Sequence, residues 1–220
     1  MSAPEPPLIL GIGRNYAAHA EELGNARPER PLVFHKSPAS VIADGDSIVI
    51  PDICRGREHG VDYEGELGVV IGADCRDVSE SDALGVISHY CVANDLSHRW
   101  WQWEGSGGQF CRGKSFDTFC PLSAYRSAVE IGDPQDLRIQ TTLNGRVVQD
   151  ASTSLMLFPV SVLISDLSRG TTLPAGTVIL TGTPAGVGAS QDPPRFLQDG
   201  DVIEVEIPGV GSLRNPVLDG

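Results

Sequence analysis

Residues 63–72, YEGELGVVIG, constrain the fold more than any other stretch of this chain. They alternate polar with apolar and then run continuously apolar, which suits a strand entering an interior covered on both faces. Residues 90–95 (YCVAND) read as a second buried strand. Shorter strands are expected at 31–36, 47–50, 177–181, 201–207 and 212–215, punctuated by turns drawn from 25 glycines and 16 prolines. Asn144-Gly145, flanked by the strand-like segments 138–143 and 146–149, is the strongest hairpin signal. Helical composition is confined to three places. Residues 14–23 stop at Gly24; Ser79-Glu-Ser-Asp resembles a capping box that opens a helix to about His89; Pro159 opens one through Leu167, closed by Gly170. About ten strands and three helices without βαβ alternation predict an α+β fold, mainly β. The 220 residues fit within a single domain, 1–220.

Charge narrows the partners. The chain has 29 acids against 16 bases, a formal net charge of −13, and Lys36 and Lys114 are its only lysines. Binding to nucleic acid or to an anionic membrane surface needs the opposite balance. The opening MSAPEPPLIL has neither the basic residue nor the long apolar run of a signal peptide. The charge-free run 170–191 holds five glycines and two prolines, which disfavours a spanning helix. Five cysteines without a C-x-x-C pair argue against a disulfide framework or structural zinc. A cytoplasmic protein is expected.

Glu64-Gly65-Glu66 is the sharpest chemical feature. Residues two apart on a strand share a face, so the carboxylates project together and repel unless a cation lies between them or one is protonated. An isolated E-x-E more often marks a solvent-facing edge. Here the strand continues straight into LGVVIG, and a third acid, Asp95, ends YCVAND. Three carboxylates without cysteine or clustered histidine form an oxygen set suited to Mg²⁺, Mn²⁺ or Ca²⁺. His19 and Glu22, three apart on the first helix, could form an oriented base, although a surface His on an acidic helix is the commoner meaning of that spacing. Gly11-x-Gly13 lacks the third glycine of a dinucleotide loop, Tyr16 standing in its place. Residues 181–188, TGTPAGVG, read as a tight loop offering backbone N–H groups to an anion such as a carboxylate. Trp100, Trp101 and Trp103 serve a core equally well as a site.

Six segments in this order resemble the fumarylacetoacetate hydrolase family in its short form: GRNYAAHAEELG, VDYEGELGVVIG, VANDLSHRWWQ, GKSFDTFCPL, LTGTPAGVG and GSLRNPV. The resemblance spans nearly the whole chain. It implies a mixed β-roll or barrel-like fold, a homodimer, and an Mg²⁺ or Mn²⁺ site whose carboxylates match Glu64, Glu66 and Asp95. It further implies catalytic roles for Lys114 and Gln102, a His-Glu pair at His19 and Glu22 on a mobile segment around 14–30, and substrate contacts from Arg14, Gly182 and Thr183. His35, Ser37 and the SHRWW segment depart from the common pattern, and the latter is expected to reshape the acyl pocket. The implied activity is metal-dependent hydrolysis of a 2,4-dioxo acid to pyruvate and a carboxylic acid. Isomerisation or decarboxylation of a 2-oxo dicarboxylate in aromatic catabolism is the alternative. A non-catalytic, metal-stabilised binding module would instead show a closed coordination sphere.

Overall fold

The computed structural model describes residues 5–220. Its larger sheet has six strands in the order Arg126–Ser127, Ile87–Asn94, Gly65–Ile71, Val178–Leu180, Ile9–Gly13 and Leu32–Lys36. All neighbours are antiparallel except Ile9–Gly13 with Val178–Leu180. A second sheet of five strands runs Arg146–Ser152, Arg138–Leu143, Val202–Ile207, Gly211–Asp219, Ile48–Ile50, with only the last pair parallel. Val41–Ile42 with Cys120–Pro121 and Val61–Asp62 with Ser97–His98 form two short two-stranded sheets.

Every residue of Gly65–Ile71 is buried. Leu67, Val69 and Ile71 join Val92 and, from the second sheet, Ile139, Val205 and Leu213 in one core, with Leu163 and Ile164 of the helix Val160–Ser168. Val70 instead packs with Ile9, Cys91, Leu122, Val178 and Leu180. Alternate side chains of one strand therefore feed two different cores, which is why its sequence turns continuously apolar. The fold is α+β and mainly β, as expected, and its sheets stay open: Arg126–Ser127 and Leu32–Lys36 end the six-stranded sheet.

Asn144 and Gly145 both take positive φ (52° and 78°), as a two-residue hairpin turn demands. Pro159 is the N-cap of Val160–Ser168, a helix shifted one residue along the chain from the expected 159–167. The first helix is shorter, Ala17–Glu22, because Arg14 adopts φ 54° and Asn15 is drawn inward. The helix expected from Ser79 to His89 does not form. Its capping contacts exist, with Ser79 Oγ donating to Asp82 Oδ2 at 2.6 Å, yet only the 3₁₀ turn Ala83–Val86 follows. From Ile87 the backbone joins the ladder against Gly65–Ile71, and those hydrogen bonds outweigh a local preference. The three tryptophans of the helix Arg99–Trp103 are half-buried.

Candidate active site

The pairing of Gly65 with Asn94 puts Glu64, Glu66 and Asp95 at the same end of two neighbouring strands. Asp95 N also donates to the Glu64 carbonyl at 2.8 Å, fixing that end. One oxygen from each of the three carboxylates lies within 4.8 Å of the others, and all three residues are buried. The cluster foreseen from E-G-E and N-D is thus assembled by strand register.

Both lysines of the chain are spent here. Lys114, at the end of the helix Phe110–Lys114, directs Nζ to Glu64 Oε2 (2.7 Å), Asp95 Oδ2 (2.6 Å) and Ser97 Oγ (2.6 Å). Lys36 Nζ donates to Asp95 Oδ1 (2.7 Å), to the Leu96 carbonyl (3.2 Å) and to the carbonyl of Lys114. Arg99 completes the set, with Nε on Asp62 Oδ2 (2.8 Å), Nη1 on Gln102 Oε1 (2.9 Å) and Nη2 2.8 Å from Glu64 Oε1. Burial alone would raise the Glu64 pKa, but Lys114 and Arg99 overcome it and hold this carboxyl below its ordinary value. Burial opposes the charge on Lys114 too, yet Asp95 and Glu64 keep its pKa above the usual one.

Glu66 is the exception. Its Oε2 accepts from Gly182 N at 2.7 Å, but none of the three cations contacts it. Burial, then Asp95 and Glu64, push its pKa well above the ordinary carboxylate range. Four buried carboxylates, counting Asp62, face three buried cations, so one negative charge is left without a partner. An all-oxygen trio with excess negative charge is the chemistry that a hard divalent cation fits.

A cavity of about 130 Å³ opens over Glu64 and Glu66. Arg14, His19, Glu64, Glu66, Gln102, Lys114 and Thr183 line it, with Phe34, Trp103 and Phe110 supplying apolar wall. Asp95, Glu22 and Gly182 stand behind the wall. His19 Nδ1 lies 2.7 Å from Glu22 Oε1, and Glu22 Oε2 accepts from Gly186 N and Ser190 Oγ, each at 2.8 Å. The N-terminal pair is therefore held by the glycine-rich loop. Asn15 reinforces this, donating to the carbonyls of Phe158 (3.0 Å) and Thr181 (2.8 Å). With Nδ1 engaged by Glu22, Nε2 is the free nitrogen of the imidazole. Arg99 fixes the Gln102 amide by its oxygen, leaving the NH₂ group as the available donor. Within SHRWW only Arg99 reaches the cavity, joined by Gln102 and Trp103 just after it, while His98 turns away to Cys54 O at 2.8 Å.

Sequence reading missed Lys36, Asp62, Arg99 and Gln149. Lys36 carried a signal in being one of two lysines; Asp62 and Arg99 carried none beyond lying within VDYEGELGVVIG and SHRWW. Asp62 accepts from Tyr63 N, Gly188 N and Ala189 N as well as from Arg99, tying the acidic strand to the glycine-rich loop.

Open packed sheets with acidic strand ends carry a buried carboxylate trio and a His-Glu pair over a small cavity, the class of site that a small-molecule enzyme presents. Residues 8–218 match the model of the fumarylacetoacetate hydrolase C-terminal domain, and the chain belongs to that family. It is 41% identical over 214 residues to a mitochondrial oxaloacetate tautomerase of Xenopus laevis, covering 97% of this chain and 66% of that protein. It superposes on 5-carboxymethyl-2-hydroxymuconate delta-isomerase of Mycobacterium smegmatis with a TM-score of 0.85 at 38% identity, covering 100% of this chain and 82% of the other. A fumarylacetoacetate hydrolase of Exiguobacterium antarcticum gives a TM-score of 0.87 at 40% identity, over 98% and 76% of the two chains.

Proposed function

We propose that this chain is a divalent-metal-dependent hydrolase that cleaves a 2,4-dioxo acid, R–CO–CH₂–CO–COO⁻, to pyruvate and R–COO⁻. The observation that carries the reading is the His19–Glu22 pair, anchored by Gly186 and Ser190 and sharing one cavity wall with Glu64 and Glu66. A divalent cation held by Glu64, Glu66 and Asp95 would supply Lewis-acid stabilisation of charge developing on the 2-oxo acid oxygens. His19 Nε2 takes a proton from water as its oxygen bonds to the distal carbonyl carbon; Glu22 holds the tautomer and the resulting positive charge. The Gln102 NH₂ group donates to the oxyanion so formed, and Lys114 contributes its charge from the wall. The oxyanion collapses by breaking the bond to the methylene carbon. That carbon keeps the electron pair as the enolate of pyruvate and takes a proton, and the acyl half leaves as the carboxylic acid. Arg14, lining the cavity without an ion pair among the described residues, is placed to receive a carboxylate of the substrate.

Keto–enol tautomerisation of oxaloacetate is the second reading, and the Xenopus laevis relative supports it. In that case His19 moves a proton between the methylene carbon and the neighbouring carbonyl oxygen, a C–H bond is exchanged for an O–H bond, and no carbon–carbon bond breaks. Incubating Mg²⁺-loaded protein with fumarylpyruvate, acetylpyruvate and oxaloacetate separates the two. Pyruvate release from an acylpyruvate, lost by about 100-fold or more in His19→Ala, is the expected result. Accelerated decay of enol-oxaloacetate with no acylpyruvate cleavage would replace hydrolysis by tautomerisation. Full hydrolysis by His19→Ala would remove the water-activating role.

A further inference from the structure

Gln149 belongs to the hairpin strand Arg146–Ser152 of the five-stranded sheet, yet its amide ends beneath the carboxylate trio of the other sheet. Its Oε1 accepts from Gly65 N at 3.0 Å. Its Nε2 donates to Thr183 Oγ1 at 2.8 Å and to the Pro184 carbonyl at 2.9 Å. Thr183 Oγ1 in turn donates its single hydrogen to the Gly65 carbonyl at 3.0 Å. Gln149 and Thr183 are 1% and 2% exposed, so water cannot replace these bonds.

The residue they grip lies between two of the candidate metal carboxylates. Gly65 is glycine because a Cβ there would stand 2.2 Å from Thr141 Oγ1. That omission leaves its torsions free, and torsions at Gly65 set the separation of the Glu64 and Glu66 side chains. Its N–H and C=O are both captured by the Gln149–Thr183 pair, which restores the lost rigidity. The loop side is equally tight: a Cβ on Gly186 would stand 2.0 Å from the Val148 carbonyl, next to Gln149.

We propose that Gln149 and Thr183 form a clamp on Gly65 that sets the spacing of Glu64 and Glu66 for the metal, and that Thr183 is a positioning residue with no hydrogen to offer the substrate. This rests on the reading of Glu64, Glu66 and Asp95 as metal ligands. Groups behind metal ligands govern affinity by about 10- to 100-fold.

The test is the apparent affinity for Mg²⁺ and Mn²⁺, read from melting temperature against metal concentration, beside the melting temperature in EDTA. Gln149→Met fills the volume without hydrogen bonds, and Thr183→Val removes the hydroxyl at constant shape. Each is expected to weaken metal binding by about tenfold or more, the double variant no further than the single ones, with Thr183→Ser restoring it. If Gln149→Met does not fold, the Thr183→Val and Thr183→Ser pair decides alone. Metal affinity within twofold of wild type in Thr183→Val, with a raised KM only, would overturn the clamp and return Thr183 to the substrate. A wild-type protein whose melting temperature ignores both metals would instead overturn the metal site itself, and the clamp with it.

Discussion

Glu66 differs from the two other carboxylates of the trio in having no ammonium or guanidinium beside it. Its raised pKa, caused first by burial and then by Asp95 and Glu64, has a consequence for the metal-free protein. A carboxyl that holds its proton longer in the folded state than in the unfolded chain makes the folded state the better proton binder. Stability from this group is present at low pH and falls as pH rises above the ordinary carboxylate range towards the folded value. In EDTA, the wild-type melting temperature should therefore drop relative to Glu66→Gln as pH is raised from about 5 upward. The same substitution should abolish stabilisation by Mg²⁺. Parallel pH curves for the two proteins, or an unchanged Mg²⁺ shift, would contradict the environment described for Glu66. These carboxylates were legible one by one, since E-G-E before an apolar run and N-D after one advertise acids entering a core. Lys36 was not, because nothing along the strand Leu32–Lys36 shows that its last side chain crosses to Asp95, 59 positions away.

At the scale of elements, the loop 181–190 holds the site together. Gly182 N holds Glu66, Gly186 N and Ser190 Oγ hold Glu22, and Gly188 N holds Asp62. Its glycines follow from that work. Gly186 sits at φ 110° with no room for a side chain, so Gly186→Ala should cost about 2–4 kcal/mol in denaturant unfolding from strain and overlap together. It should also free Glu22 and depress turnover beyond the stability loss; a change below about 1 kcal/mol would show that the loop simply yields. The loop was recognisable in sequence as an anion-binding turn, and it does offer N–H groups to anions. Those anions are the protein's own carboxylates, Glu66, Glu22 and Asp62. Elements also went astray where two signals competed. The capping contacts of Ser79 and Asp82 formed as written, but a long buried ladder claimed the residues after Val86.

Across the whole molecule, 29 acids against 16 bases set a field that opposes an anionic substrate. The cavity answers it locally with Arg14, Arg99 and Lys114. Added salt screens the general field more than the buried contacts, the screening length falling from about 30 Å at 0.01 M to about 8 Å at 0.15 M. kcat/KM for a dianionic 2-oxo acid should thus rise across that range in a non-chelating salt, with kcat nearly constant. A fall would mean that the local cations dominate the approach. No helix among the described residues is long and apolar enough to cross a membrane.

The sequence by itself determined what is local and periodic: a sheet-dominated α+β fold, the hairpin at Asn144-Gly145, the buried strand that carries the acids, and the residue types of the site. Hydrophobic period, turn chemistry and neighbouring motifs are enough for these, because each depends on residues a few positions apart. The tertiary structure alone decided which charges neutralise one another and which carboxylate is left over. It also decided that a glutamine from the second sheet reaches Gly65. Such contacts join residues up to 84 positions apart in the case of Gln149 and Gly65, and burial makes every unpaired group costly there. The chain lists the charges, but only packing assigns their partners.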